Sequence, residues 1–250
     1  MTVFKAALVR VSQGTQYIRD IRGAVPDGLR GLPMLGTRAC APQCQACKDS
    51  CPTQAIELPP LRLDLGRCVF CAACVEACPE DKIQFTAEPK LGADRREDLV
   101  LGEGAAQALR VRASAVFSKA FGRSLRLRQV SAGGCNACEL ELNALSNVNF
   151  DAQRFGIEWV ASPRHADALV VTGPLTRSMK NAIRLAWDAM PEPRFVVAVG
   201  ACAISGGLYA SADVIDRTFF AEVGPALFIP GCPPHPLTIL NAMLDFLGID

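Results

Sequence analysis

The chain has 250 residues, half of them hydrophobic and 20% charged, and its formal net charge is +1. That composition supports a packed core, excludes global disorder and leaves no basic excess for a nucleic-acid footprint, so no nucleic-acid partner is expected. The longest apolar runs, such as Phe195 to Val199 and Ala226 to Ile229, fall far short of the roughly 18 residues of a membrane-spanning helix.

The opening Met-Thr-Val-Phe-Lys has no basic n-region, no long apolar h-region and no twin-arginine pair. A cytosolic, reducing compartment is therefore expected. Residues 1–36 read as an arm. Phe4, Ala7, Leu8 and Val11 fall at helical spacing with Lys5 and Arg10 off that face, and a turn-rich stretch follows through Pro26, Gly28, Gly31, Pro33 and Gly36.

Residues 37–88 carry most of the cysteines. There are 12 Cys and only 2 His; in a reducing compartment that many thiols point to metal rather than disulfides. Cys44-x2-Cys47-x3-Cys51-Pro52 recurs 27 residues later as Cys71-x2-Cys74-x3-Cys78-Pro79, and the match continues with Ile56 to Ile83 and Leu58 to Phe85. Cys68 precedes Cys71 by three positions and Cys40 precedes Cys44 by four.

Three close cysteines on a tight loop cap three irons of a cubane, and the cysteine before the proline reaches the other cluster. The spacing thus predicts one [4Fe–4S] cluster held by Cys40, Cys44, Cys47 and Cys78, and a second held by Cys68, Cys71, Cys74 and Cys51. A pair of zinc sites is the competing reading. Structural zinc more often uses two separated CxxC pairs or mixes Cys with His.

Residues 89–124 form a connector whose end reads helical. Leu109, Ala113, Val116, Phe117, Ala120 and Phe121 make an apolar stripe, with Arg110, Arg112 and Lys119 off it. Such a stripe either packs on its own domain or lies at a partner or membrane surface, and the sequence leaves both open.

Residues 125–250 alternate strand and helix. Strands are expected at 125–130, 157–160, 168–172, 195–199 and 227–229, with helices at 176–190 and 237–247, which predicts a small doubly wound, flavodoxin-like parallel sheet. The class is therefore α/β: a two-cluster ferredoxin-like α+β domain followed by this sheet domain. The remaining cysteines follow strands: Cys135 and Cys138 the first, Cys202 the fourth and Cys232 the fifth. Loops at the carboxyl ends of such strands converge, so these four thiols are expected to hold a third [4Fe–4S] cluster. The competing reading is four buried small hydrophobes.

Gly134-Cys135-Asn136-Ala137-Cys138-Glu139, Ser162-Pro163-Arg164-His165-Ala166-Asp167, Gly200-Ala201-Cys202-Ala203 and Pro230-Gly231-Cys232-Pro233-Pro234 resemble the 20 kDa-subunit family of complex I. That family also contains the small subunits of membrane-bound energy-converting [NiFe] hydrogenases and of formate hydrogenlyase. Residues 37–88, with Leu65-Gly66-Arg67-Cys68-Val69-Phe70-Cys71, look like the two-cluster ferredoxin subunit of the same complexes, so the chain resembles two neighbouring subunits fused. Two residues separate Cys135 from Cys138, as in the hydrogenase branch, whereas the complex I subunit has adjacent cysteines there.

The resemblance implies that Cys135, Cys138, Cys202 and Cys232 hold the proximal cluster. It also implies a role for Glu139, beside that cluster, in proton movement; the plainer reading of Glu139 is a carboxylate favoured at a helix N-terminus. All 12 cysteines are thereby assigned and none is left for nickel. Ser205-Gly206-Gly207 lacks the G-x-G-x-x-G spacing of a dinucleotide site.

The function expected from the resemblance is the iron–sulfur electron-transfer subunit of a membrane-associated [NiFe] hydrogenase or formate hydrogenlyase-type complex. Electrons would be relayed through three [4Fe–4S] clusters to or from a hydrogenase-type large subunit that carries the active site. Membrane subunits of the same complex would hold the chain peripherally on the cytoplasmic face of the inner membrane. Two alternatives stand beside it: a complex I-like complex lacking nickel, related to NADH-quinone oxidoreductase, and a ferredoxin-type carrier, which would need only residues 37–88.

Overall fold

The computed structural model describes residues 3–104, 109, 111–122 and 124–249. The arm begins as helix α1 (Val3–Gln13), on which Val3, Phe4, Leu8 and Val11 are all exposed. It then crosses the carboxyl-terminal half of the molecule. Ile21 is buried in that half's core, and the Arg22 guanidinium donates to the side chains of Asn241 and Asp245 at 3.1 and 2.6 Å.

The cysteine-rich part is built on short antiparallel strands. In chain order come β1 (Pro33–Leu35), α2 (Ala46–Asp49), β2 (Ile56–Glu57), β3 (Arg62–Asp64), α3 (Ala73–Ala77), β4 (Ile83–Phe85) and β5 (Val100–Gly102). β1 pairs with β4, and β3 pairs with both β2 and β5. The two small sheets thus recruit residues 33–35 and 100–102 from either side of 37–88.

The sequence repeat is also a backbone repeat. Gln43 and Phe70 stand 27 positions apart with φ of 62° and 54°, and Gln54 and Asp81, again 27 apart, have φ of 52° and 48°. Left-handed backbone at non-glycine residues persists only where surrounding structure enforces it. Here it turns the chain so that the next N–H, of Ala55 or Lys82, points back at the sulfur of Cys51 or Cys78, at 3.2 and 3.3 Å.

The connector helix α4 (Ala115–Phe121) starts at Ser114, whose hydroxyl accepts from the Phe117 N–H. One edge of its stripe packs on the sheet domain. Phe121 is buried, and the Phe117 ring lies 4.6 Å from that of Phe195 and 5.7 Å from that of Phe246. Ala113, Val116 and Ala120 remain exposed. Arg110 lies outside the described residues.

The remaining elements are β6 (Leu125–Ser131), α5 (Ala137–Ala144), β7 (Ile157–Trp159), β8 (Ala168–Thr172), α6 (Lys180–Asp188), β9 (Phe195–Val199), α7 (Ala201–Ser205), α8 (Thr218–Glu222), β10 (Leu227–Ile229) and α9 (Pro236–Leu247). The helix expected over 176–190 is shorter than its apolar pattern: a 3₁₀ turn at Arg177–Met179 precedes α6. The five strands form one parallel sheet in the order β10-β9-β8-β6-β7. Counted within the sheet this is 2-1-3-4-5, the flavodoxin-like order, whose switch point lies between β6 and β8. Every residue of β8, β9 and β10 is buried, as helices on both faces require.

The two halves share a core. Leu61, Leu63, Leu65 and Ile83 of the cysteine-rich part cluster with Ala198, Ala203, Ile204 and Phe228 of the sheet domain. A backbone bridge joins Ala93 to Phe228, with N–H to O distances of 3.0 and 2.8 Å.

Candidate metal centres

The folded repeat gathers eight thiols around two cavities. Cys40, Cys44, Cys47 and Cys78 line the first, together with Leu58, Leu61, Pro79 and Ile83. Cys51, Cys68, Cys71 and Cys74 line the second, with Pro52, Ile56, Leu63, Val69 and Phe85. Each cavity takes three cysteines from one half of the repeat and the Cys-Pro cysteine from the other.

Backbone N–H groups are aimed at several sulfurs. Lys82 donates to Cys78 at 3.3 Å, Ala55 to Cys51 at 3.2 Å and Phe70 to Cys68 at 3.3 Å. Donors of this kind stabilise thiolate sulfur. Burial among apolar walls acts the other way on free thiols. It pushes Cys68 up to about 12 against the opposing Phe70 N–H, and Cys74 up to about 11, where Cys51 and Cys71 add to the effect. Cys47 is raised too, by burial and then by Cys78 and Cys40.

The other four cysteines stand at the carboxyl edge of the parallel sheet. Cys135 is in the turn after β6 and Cys138 in the first turn of α5. Cys202 sits in the first turn of α7, two residues after Gly200, and Cys232 follows β10. Cys138 and Cys202 are thus on helices rather than in loops, because Asn136 (φ 70°) and Gly200 (φ 88°) turn the chain sharply before each helix starts.

Glycine is required at this edge by close approach. A Cβ on Gly200 would lie 2.7 Å from Cys138 Sγ, and one on Gly207 3.0 Å from Cys202 Sγ. Burial, and then Glu139 with the thiols of Cys202, Cys232 and Cys135, pushes Cys138 up to about 12. Cys202 is raised to about 11 by burial, then Cys232 and Cys135. The four thiols are close enough to repel one another as anions.

Glu139 is 7% exposed and lies in the first turn of α5. Burial pushes its carboxyl up, but the hydroxyls of Ser131 and Thr172 and its own backbone N–H outweigh this and hold it below the ordinary glutamate range. The Thr172 hydroxyl donates to it at 2.6 Å.

The donor chemistry fits four-thiolate clusters. The two sets of the repeat are walled largely by carbon and have N–H donors aimed at their sulfurs. The set at the sheet edge has glycines beside two of its thiols, where an inorganic core needs room. A zinc ion needs its donors at about 2.0–2.3 Å around one point. Among the described residues, no three His, Cys, Asp or Glu side chains converge tightly enough to hold a single metal ion.

Lys82 escaped sequence reasoning. It is 4% exposed, and its ammonium donates to Glu103 at 2.9 Å and to Cys40 Sγ at 3.6 Å. The sets also abut. Cys47 lies close enough to Cys74 to raise its pKa. Gly66, two residues before Cys68, packs so closely on α7 that a Cβ there would lie 2.7 Å from Ile204 Cγ2.

Comparison with known proteins covers both parts. The family model of the NADH ubiquinone oxidoreductase 20 kDa subunit matches residues 135–246. A 4Fe-4S binding domain model matches residues 61–81, the stretch with Cys68, Cys71, Cys74 and Cys78. The chain is 37% identical over 126 residues to the probable membrane-bound hydrogenase subunit mbhJ of Pyrococcus furiosus, covering 50% of this chain and 75% of that protein. It is 40% identical over 131 residues to formate hydrogenlyase subunit 7 of Escherichia coli, covering 52% and 51%. It is also 40% identical over 114 residues to an NADH-quinone oxidoreductase subunit of Desulfovibrio desulfuricans, covering 44% and 60%. The last two proteins are thus matched over only half to three-fifths of their length.

Proposed function

Because the chain belongs to the family of the NADH ubiquinone oxidoreductase 20 kDa subunit, we propose that it is the iron–sulfur electron-transfer subunit of a membrane-associated [NiFe] hydrogenase or formate hydrogenlyase-type complex. In this reading it exchanges electrons with a partner large subunit that carries the active site. The observation that carries it is the presence in one chain of three abutting sets of four thiols, two around apolar cavities and one at the switch-point edge of a parallel sheet.

Cys40, Cys44, Cys47 and Cys78 would hold one [4Fe–4S] cluster, Cys51, Cys68, Cys71 and Cys74 a second, and Cys135, Cys138, Cys202 and Cys232 a third. When bound, each four-thiolate cluster takes up and gives back a single electron. The rest of the chemistry belongs to the chain. The walls of Leu58, Leu61, Ile56 and Leu63 exclude water, and the N–H groups of Ala55, Phe70 and Lys82 hold negative sulfur. Gly200 and Gly207 leave space beside Cys138 and Cys202. Gly66 and Ile204 keep the Cys68 loop against the helix that bears Cys202. Glu139, its carboxylate held by Thr172, stands where a proton could be accepted beside Cys138.

The whole-complex reading draws on the Pyrococcus and Escherichia relatives and on the Cys135-x2-Cys138 spacing. Among the described residues no helix is long and apolar enough to cross a membrane, so attachment would run through membrane subunits of the complex. A second reading, a complex whose large subunit lacks nickel, draws on the identity with the Desulfovibrio NADH-quinone oxidoreductase protein.

The test is co-purification of the full chain under argon with its large subunit, followed by iron, sulfide and nickel analysis. Three four-iron clusters with nickel in the partner support the main reading. Three clusters with no nickel and no pair of CxxC motifs in the partner would replace it by the second. A colourless, zinc-loaded chain would end both.

A further inference from the structure

The two halves of the repeat match in backbone, which makes one difference in side chain informative. Ala55 and Lys82 occupy the same place, four residues after Cys51 and Cys78, each following a left-handed residue and each donating its N–H to the cysteine it follows. Backbone and hydrogen bond are repeated, and the side chain is not. Where the first half has a methyl group, the second has an ammonium, on a residue only 4% exposed, 3.6 Å from Cys40 Sγ.

We propose that Lys82 is a positioning and tuning residue that makes the centre of Cys40, Cys44, Cys47 and Cys78 easier to reduce than its twin of Cys51, Cys68, Cys71 and Cys74, so that the two halves of a symmetric fold differ in potential. The inference rests on the cluster-holding reading of these eight cysteines.

The physical argument concerns charge. Reduction adds one electron and no proton, taking a four-thiolate cubane from about −2 to about −3. An ammonium in a poorly screened site stabilises the more negative state, and an N–H donated to a ligand sulfur acts in the same direction. Glu103 partners the ammonium but does not cancel it. The Lys82 side chain is 3% exposed and that of Glu103 31%, so water screens the carboxylate more. One Glu103 oxygen is also held by the Leu61 N–H at 2.9 Å, which fixes the ammonium toward Cys40. The twin centre has a cation nearby in Arg30, but Arg30 is exposed and its partners there are the carbonyls of Phe70 and Cys71.

The experiment is redox-poised EPR of the full chain, reconstituted anaerobically with iron and sulfide. Signals are assigned by their loss in Cys44→Ser and in Cys71→Ser. The Cys44-dependent signal should show the higher midpoint. In Lys82→Met, at a fixed potential, its reduced-to-oxidised ratio should fall about tenfold, a shift of about 59 mV for one electron, while the Cys71-dependent signal stays in place. Lys82→Ala, which copies the other half of the repeat, should do the same, and Glu103→Gln should move the same signal upward.

Unchanged midpoints in both lysine variants, equal shifts of both signals, or a shift confined to the Cys71-dependent signal would overturn the proposal. A wild-type chain with no cubane signals would sink the cluster reading itself and this inference with it, an outcome told apart from the others before any variant is made.

Discussion

Cys51 and Cys78 stand at equivalent places in the two halves of a repeat, and each lines the cavity whose other three thiols come from the opposite half. The exchange follows from chain geometry. Cys47 and Cys74 sit on the one-turn helices α2 and α3, and the Cys-Pro cysteine leaves its helix end in a direction its own loop cannot use. Cys78→Ser should therefore damage the centre of Cys40, Cys44 and Cys47 and leave that of Cys68, Cys71 and Cys74 intact. EPR of the reconstituted variant checks this; loss of the Cys71-dependent signal would mean that ligation is not crossed.

The same arrangement sets a stoichiometry. Reconstitution under argon should plateau at about 12 iron and 12 sulfide per chain, four of each for every four-thiolate set. A plateau near eight that is insensitive to Cys138→Ser would remove the centre at the sheet edge.

Strands β8 and β9 were legible in the sequence to the residue, because a strand buried on both faces is a continuous apolar run with clear ends. The short strands β1, β3 and β5 were not. Two or three residues carry no periodicity, and what makes them strands is pairing with distant residues, 52 positions away for Pro33 with Phe85 and 38 for Leu63 with Leu101. The groups of cysteines that line each cavity could be read from an internal repeat, which states the geometry twice. Lys82 was not legible there: it stands opposite Ala55, but Glu80 opposite Thr53 and Asp81 opposite Gln54 break the match as well, and only the fold brings Cys40 and Glu103 to its ammonium. The helical placement of Cys202 was hidden because α7 is a single turn started by the positive φ of Gly200.

At the sheet edge, Thr172 reads as part of a buried apolar strand until its hydroxyl is seen donating to Glu139 at 2.6 Å. Thr172→Val keeps the shape and removes the donor from a carboxylate that is 7% exposed. The expected loss is about 1–3 kcal/mol of stability, measured by denaturant unfolding. Glu139→Gln separates structure from proton transfer. It retains the acceptor oxygen, so the fold should stand, and turnover in the assembled complex should fall; unchanged turnover would leave Glu139 only its structural place at the start of α5.

The connector helix makes a stability prediction. Phe117 packs its ring among those of Phe195, Phe246 and Phe121 while Val116 beside it is exposed. Phe117→Ala should cost about 2 kcal/mol, less than the roughly 3–5 kcal/mol of a fully buried phenylalanine, and Val116→Ser should cost little. If Val116→Ser instead weakened assembly with a partner subunit while leaving stability unchanged, the outer face of α4 would be a contact surface as well.

The segment before that helix makes a pH-dependent one. Arg112 donates to Asp94 through its Nε at 2.9 Å and to Asp98 at 2.6 Å, and the Arg112 N–H also donates to Asp94. Burial pushes the Asp94 carboxyl up, but the hydrogen bonds and charge of Arg112 more than offset this and hold it below the usual aspartate range. A carboxyl depressed in the folded state contributes stability that is fully present above its unfolded value and is lost as the pH falls through the folded one. The pair should therefore contribute at neutral pH and fade below about pH 4. Arg112→Ala should lower the unfolding midpoint at pH 7 and converge on the parent protein in acid. A difference that is the same at pH 7 and pH 3 would show that the guanidinium acts by packing alone.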